Sequence, residues 1–99
     1  LVILSRFDAE PTAQWYAQHS HKPEPDLYNL VLNRFGLRGH EAIAFEDSRT
    51  GSLAATRAHV HTVACPGPST VHHDFSHVDL RVASLADVTL AQLITRFGS

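Results

Sequence analysis

Two adjacent carboxylates, Glu46 and Asp47, end a short apolar run in the segment AFEDSRTG (44–51). Two like charges side by side repel each other, and each raises the pKa of the other unless a positive group lies nearby. In an open parallel sheet, ligands bind beyond the carboxyl ends of the strands. If the apolar run is such a strand, the pair lies where a ligand is expected, and we predict that it serves a cation.

The elements that must position this pair follow from the pattern of apolar residues. Short aliphatic runs predict buried strands at 1–5, 42–45, 61–65 and, more weakly, 80–83. Apolar residues at helical spacing predict helices at 25–36, about 50–59 and about 86–97. Residues 6–24 are predicted to be mostly loop, with Trp15 and Tyr16 at a short turn. Alternating strands and helices indicate an α/β fold with a parallel, Rossmann-like sheet flanked by helices.

Turn and cap residues support the helix boundaries. Pro25 suits the first turn of its helix, and Gly36 is placed to end it. Thr89 and Gln92, three residues apart, predict a capping box at the start of the last helix. Apolar residues on the two outer helices are expected in the core: Tyr28, Val31, Leu32, Phe35, Leu90, Leu93, Ile94 and Phe97.

Composition excludes several classes of protein. The 99 residues suffice for one small domain, with 43% hydrophobic and 18% charged residues. The net charge of −2 and the lack of a basic run argue against a nucleic acid partner or an anionic membrane surface. No apolar stretch approaches the roughly 20 residues of a membrane helix. The single cysteine, Cys65, cannot form an internal disulfide and favours a cytoplasmic location.

Two motifs resemble those of the haloacid dehalogenase-like hydrolases, in particular the branch of β-phosphoglucomutase and phosphoglycolate phosphatase. They are KPEPDLY (22–28), which matches KPxPD(L/I)Y, and EDSRTG (46–51), which matches EDSxxG before an alanine-rich helix. The ending DLRVASLADVTLAQL (79–93) is also similar to that branch. The resemblance covers about residues 1–97 and implies that residues 1–99 form the C-terminal half of such a core domain.

The resemblance implies Mg²⁺-dependent phosphoryl transfer through an aspartyl-phosphate, by a phosphatase or a phosphosugar mutase acting on a phosphorylated small molecule. Lys22 matches the lysine that bridges the nucleophile and the phosphate. Asp47 matches a metal ligand, and Glu46 is a second ligand or an acid beside it. The reaction brings two anions together, so Lys22 and the metal ion would supply the positive charge that the site needs. Ser48 and Thr50 are expected to cap the next helix, and Gly51 to allow its close packing.

The family's nucleophile lies in a DxDGT motif followed by a substrate-selecting cap, and we find neither in the chain. Asp8 imitates the nucleophile, but too few residues separate it from Lys22 for the intervening crossover. The chain starts at Leu1 inside a predicted strand, which suggests a truncated gene product or a fragment. Because the nucleophile is missing, we expect the chain to be inactive alone. His59 replaces the glycine that usually ends the middle helix in the family, a position where histidine tolerates a left-handed backbone.

Other interpretations remain open. A non-catalytic α/β module of the same fold, binding a partner or Mg²⁺ without turnover, is the main alternative. Cys65 is expected to be a buried structural thiol. A zinc site would need three or four converging ligands, and the histidines show no recognised ligand spacing, so we expect them at the surface or in loops. There are eight of them: His19, His21, His40, His59, His61, His72, His73 and His77.

Overall fold

The computed structural model describes residues 2–5, 14–16 and 25–97, and for the first two segments it describes the backbone alone. The strands are β1 (Val2–Ser5), β2 (Gln14–Tyr16), β3 (Ala42–Glu46), β4 (His61–Ala64) and β5 (Leu80–Arg81). The helices are α1 (Asp26–Phe35), α2 (Arg49–Arg57) and α3 (Leu90–Phe97). Single 3-10 turns, Gly39–Glu41 and Leu85–Asp87, precede β3 and α3. In the described part of the chain, no helix is long and apolar enough to cross a membrane.

The strands form one sheet in the order β2-β1-β3-β4-β5. Strands β3, β4 and β5 are parallel, as the sequence predicts, and α2 connects β3 to β4. Strand β1 instead runs antiparallel to both β2 and β3. The connection between β1 and β2 is short, and only antiparallel neighbours can be joined without a crossover of a dozen or more residues. The sheet therefore has a parallel α/β part and an antiparallel edge.

Strand β2 lies within the segment 6–24, which the sequence analysis assigned mostly to loop. Trp15 and Tyr16, predicted to anchor a turn, belong to this strand, and Tyr16 pairs with Val2. Aromatic residues fit a pleated, half-buried surface, which gives them their strand propensity. Three residues are too few to show the alternation by which a strand is recognised in sequence.

Helix α1 begins after Pro25 and ends at Gly36, whose left-handed backbone (φ 65°) forms the predicted cap. Its apolar face is buried at Tyr28, Val31 and Leu32, as predicted. Phe35 was predicted to belong to the core, and this was wrong, because it is 36% exposed. It occupies the last position of the helix, where it lies at the margin of the buried face.

Two separate cores lie on the two faces of the sheet, because side chains alternate along β3. Ala42 and Ala44 join Tyr28 in the core beneath α1 and α2. Ile43 faces the opposite side and packs with Val63, Val82 and Leu93, below α3. The unbroken apolar sequence of β3 follows from this burial on both sides.

Helix α3 begins with the predicted capping box. The Thr89 amide donates to Gln92 Oε1 (2.8 Å), and the Gln92 amide donates to Thr89 Oγ1 (3.1 Å). Of the four apolar residues predicted to be core, Leu93 is fully buried, whereas Leu90, Ile94 and Phe97 are half-buried. Because α3 packs on the sheet without a neighbouring helix beside it among the described residues, only the centre of its apolar face is fully buried.

His59 has a left-handed backbone with φ 62°, as its position in the sequence predicts. It follows α2 in the place where glycine is preferred. The backbones of Ala58 and His59 also press against Gly39, at which a Cβ would collide with their carbonyl groups. The turn after α2 and the turn before β3 therefore fit together only through this glycine.

Candidate active site

The predicted carboxylate pair lies at the carboxyl end of β3. Glu46 is the last residue of the strand, and its carbonyl accepts a hydrogen bond from the Cys65 amide (2.8 Å), which continues the pairing with β4. Asp47 follows immediately and is exposed. The side chain of Asp47 is thus accessible to solvent at the end of the sheet where α/β proteins bind their ligands.

The turn between β3 and α2 is fixed by a helix cap. Ser48 has an extended backbone, and its Oγ accepts a hydrogen bond from the Gly51 amide (3.0 Å). The first intrahelical bond runs from the Ser52 amide to the Ser48 carbonyl (3.0 Å). Of the two residues predicted to cap α2, Ser48 does so. The N-cap of α2 therefore directly follows Asp47 in the chain.

Glu46 has a different environment from its neighbour. It shares a face of β3 with Ala42 and Ala44, so its side chain extends toward α1 and α2. Its carboxylate lies so close to Gly51 that a Cβ there would collide with it. Gly51 therefore provides the close approach that the sequence predicts, and the group it accommodates is the Glu46 carboxylate.

Burial governs the electrostatics of this carboxylate. It raises the pKa of the Glu46 carboxyl above its ordinary value, and the Asp47 charge acts in the same direction. The Tyr28 hydroxyl interacts with the Glu46 carboxylate and opposes that rise. Burial, followed by the Glu46 charge, raises the pKa of the Tyr28 hydroxyl as well. A cation near Glu46 would favour its charged form.

Lys22, predicted to complete the site, lies outside the described residues, and so does Asp8. The proximity of Lys22 to Asp47 stays a prediction. The structure brings Glu46 and Asp47 together at one strand end, with side chains on different sides of the turn: one is half-buried against Gly51, and the other is exposed.

Cys65, predicted to be a buried thiol, is half-buried and packs at the border of the core below α3. Between residues 25 and 97, no group of three or more histidine, cysteine, aspartate or glutamate side chains is placed to hold a metal ion. The zinc interpretation therefore gains no support from His59, His61, His72, His73 or His77.

Two histidines of the segment 66–79 contact α2, which the sequence analysis missed. His73 Nδ1 accepts a hydrogen bond from the Arg49 amide (3.2 Å), and His77 Nε2 lies 2.7 Å from Ser52 Oγ. The partners are 24 and 25 residues apart in sequence. The only available signal was the density of histidines in this segment, which does not identify a partner.

Ser52, His77 and Asp74 superficially resemble a serine hydrolase triad. Ser52 is fully buried, however, and its hydroxyl proton is used in a hydrogen bond to the Arg49 carbonyl (2.9 Å). The Asp74 carboxylate accepts from the Ser76 amide (2.9 Å), a bond that lowers the pKa of Asp74. A nucleophile must reach its substrate and transfer its proton to the histidine. The contact between His77 and Ser52 holds the segment 66–79 against α2 instead.

Comparison with known proteins identifies the class to which this fold and site belong. The profile described as haloacid dehalogenase-like hydrolase matches residues 2–65. This match spans both β3 and the carboxylate pair, and it covers more than half of the chain. The chain belongs to the haloacid dehalogenase-like hydrolase family.

Individual relatives are phosphatases or related proteins. The chain is 40% identical to the putative phosphatase YhcW of Bacillus subtilis over 78 residues, which are 79% of this chain and 36% of that protein. It is 36% identical to protein CbbY of Cereibacter sphaeroides over 67 residues, covering 68% of this chain and 29% of that one. A crystal structure of mutant CbbY from Rhodobacter sphaeroides with xylulose-(1,5)bisphosphate has a TM-score of 0.66 and 34% identity, covering 71% and 31% of the two chains.

The chain therefore spans about a third of the length of these relatives. Their similarity confirms the predicted family and the α/β, Rossmann-like core.

Proposed function

We propose that the chain is the part of a Mg²⁺-dependent phosphoryl-transfer enzyme that supplies its metal-binding strand end. The whole enzyme would be a phosphatase or a phosphosugar mutase that works through an aspartyl-phosphate. The observation that carries this proposal is the exposed Asp47 at the carboxyl end of β3, with Glu46 held against Gly51 beside it. An exposed carboxylate next to a confined one combines an accessible ligand with a fixed neighbour.

The donor set fits Mg²⁺. This ion keeps several waters and takes one or two carboxylates together with substrate phosphate, so it needs no cage of protein ligands. Asp47 would be the direct ligand, and Glu46 would be a second ligand or would accept hydrogen bonds from bound water. Lys22 would neutralise charge between the nucleophile and the phosphate. Mg²⁺ bound here would offset the negative charge that gathers on the transferred phosphoryl group.

The substrate class follows from the relatives. One solved relative holds xylulose-(1,5)bisphosphate, and a protein 34% identical over 71 residues is named hexitol phosphatase A of Escherichia coli. We infer a phosphorylated small molecule, of the sugar phosphate type, as the substrate of the complete enzyme.

The proposal is tested by cation binding to the chain itself. Mn²⁺, as a paramagnetic substitute for Mg²⁺, should broaden the amide resonances around Asp47 first, and Mg²⁺ should compete. Asp47→Asn should weaken Mn²⁺ binding at least tenfold. Asp87→Asn is the matched control, because it removes an exposed charge while keeping an oxygen for the Ser84 amide. Equal affinity in both variants would refute Asp47 as the ligand.

Activity separates the enzyme from a binding module. We expect no hydrolysis of p-nitrophenyl phosphate by the chain alone with Mg²⁺, because no aspartate in it matches the family's nucleophile. Turnover that is abolished by Asp8→Asn would show that Asp8 is the nucleophile. If a longer reading frame contained no DxDGT-like segment upstream, the module that binds without turnover would be the better conclusion.

A further inference from the structure

The segment 66–79, here called the histidine loop, packs against the start of α2. Its anchor is Phe75, which is buried and has Arg81 above its ring at 5.0 Å from the centroid. The rings of His73 and His77 both lie near Phe75, with centroids 6.1 and 6.5 Å from that of Phe75. The loop therefore has a core of its own, which holds both histidines in place.

The hydrogen bonds of these two histidines differ in kind. A backbone amide can only donate, so the bond from the Arg49 amide requires an unprotonated Nδ1 on His73. The contact between His77 Nε2 and Ser52 Oγ joins two side chains instead, and the Ser52 hydroxyl also donates to the Arg49 carbonyl. The bond of His73 holds a main-chain amide at the start of α2, whereas that of His77 reaches only a side chain.

The bond of His73 falls at a sensitive position. Arg49 is the first residue of α2, and the two residues before it are Ser48 and Asp47. The first amides of a helix have no partner within it. Here the Gly51 amide is satisfied by Ser48 and the Arg49 amide by His73. The peptide that follows Ser48 is thus held from outside the helix by one imidazole nitrogen.

We propose that His73 is a positioning residue, whose neutral Nδ1 holds the Arg49 amide and thereby sets the turn that carries Asp47. This inference rests on the proposed function, because it assigns His73 to the site at which Asp47 would bind its cation. His77 adds a second link between the loop and α2, through Ser52.

Several charged groups face this contact and must be considered with it. Asp74 lies on the histidine loop, and Arg49 and Arg57 lie on α2, all near enough to His77 to affect its charge. Asp47 lies in the turn itself, and His72 adjoins His73 in the loop. The variants below leave all of them in place except His72, which serves as the control.

The experiment uses NMR of the chain at pH 8. His73→Asn keeps an acceptor near the position of Nδ1 but cannot be protonated, whereas His73→Ala removes it. His72→Ala changes the neighbouring exposed histidine. Hydrogen exchange at Arg49 and the amide shifts of Asp47 and Ser48 report on the turn, and Mn²⁺ titration reports on the site.

We expect Arg49 exchange to accelerate about fivefold in His73→Ala, the loss typical of a removed helix cap. His73→Asn should restore slow exchange, because its side-chain oxygen can accept from the Arg49 amide. Mn²⁺ affinity at pH 8 should fall severalfold in His73→Ala, recover in His73→Asn, and stay unchanged in His72→Ala. Equal urea midpoints in the His73 variants would exclude a general loss of stability.

Unchanged Arg49 exchange and unchanged Asp47 and Ser48 shifts in His73→Ala would overturn the inference. So would Arg49 exchange that is as fast in His73→Asn as in His73→Ala. If Mn²⁺ fails to bind even the unsubstituted chain, the proposed function fails, but the amide shifts of the turn still test the role of His73. The two failures are therefore distinguishable.

Discussion

The carboxylate of Glu46 occupies the space into which a side chain at Gly51 would project. This contact joins the last residue of β3 to the first turn of α2, and it explains why a glycine is needed in a helix that otherwise favours alanine. Glycine in a helix interior ordinarily lowers the stability by about 1 kcal/mol relative to alanine. At this position the missing Cβ makes room for a charged group.

Gly51→Ala should separate the stability of the fold from the geometry of the site. The carboxylate that would collide with the new methyl group is the end of a flexible side chain, so it can move aside at little cost. We expect the free energy of unfolding to change by less than about 1 kcal/mol, because alanine favours the helix. Mn²⁺ affinity should fall about tenfold, as is typical when a group supporting a metal site is moved.

Gly67→Ala is the control for this substitution, because a Cβ there has open space around it. Titration calorimetry and urea unfolding on both variants provide the comparison. If Gly51→Ala bound Mn²⁺ as well as Gly67→Ala, the position of Glu46 would not matter to the site.

Glu46→Gln should stabilise the metal-free chain at neutral pH. Because burial raises the pKa of Glu46, the folded state binds more protons than the unfolded state, and the free energy of unfolding decreases as the pH rises through that range. Glutamine carries no charge to be buried, so its urea midpoint should exceed that of the original chain at pH 7 to 8. The difference should vanish in acid, where the carboxyl is protonated in both states.

Glu41→Gln is the charge-matched control, since this carboxylate accepts from the Arg38 amide and a glutamine oxygen can replace it. A lower midpoint for Glu46→Gln than for the original chain at pH 7 would contradict the expected sign.

His77→Gln should flatten the acid side of the stability profile. Burial lowers the pKa of His77, Arg49 and Arg57 act in the same direction, and Asp74 opposes them. The folded state then binds fewer protons than the unfolded state, so stability is lost as the pH falls below the ordinary histidine value of about 6.5. Glutamine can still donate to Ser52 Oγ but does not titrate. Thermal midpoints between pH 7 and 5 provide the test, with His72→Gln as the control. If the thermal midpoint of His77→Gln fell between pH 7 and 5 as steeply as that of His72→Gln, the prediction would be contradicted.

Leu93→Ala should cost about 3 kcal/mol of unfolding free energy, within the usual range for a fully buried leucine. Leu93 is 2% exposed and packs with Ile43, Val63 and Val82, so its removal leaves a cavity between α3 and the sheet. Leu30→Ala, on a side chain that is 63% exposed, should change the value by no more than about 0.5 kcal/mol. Urea unfolding measures both. Equal losses would show that α3 is not held by this contact.

The local features of the fold were readable from sequence because they depend on near neighbours. Gly36, the Thr89–Gln92 box and the left-handed His59 are each set by a few consecutive residues, and all three are confirmed. The carboxylate pair, the Ser48 cap and the close approach at Gly51 were equally readable, since they lie within six residues.

Features that depend on distant partners were not readable. The antiparallel pairing of β1 with β3 joins segments about 40 residues apart, and no local pattern encodes it. The contacts of His73 and His77 with α2 arise from the path of the histidine loop around Phe75. Exposure was misjudged for Phe35 because helical spacing predicts the direction of a side chain, and not the extent of its cover.

Because side chains alternate along β3, the number of residues in this strand cannot change by one without exchanging its two faces. Even-numbered positions lead from two alanines under α1 and α2 to the confined Glu46, while Ile43 faces the opposite core. Inserting or deleting one residue within the strand would interchange the two faces. Glu46 would then be directed at the apolar contacts of α3, and the contact with Gly51 would be lost. The register of β3 therefore determines both the packing of the two cores and the position of Glu46 in the candidate site, so a change of register would disrupt both.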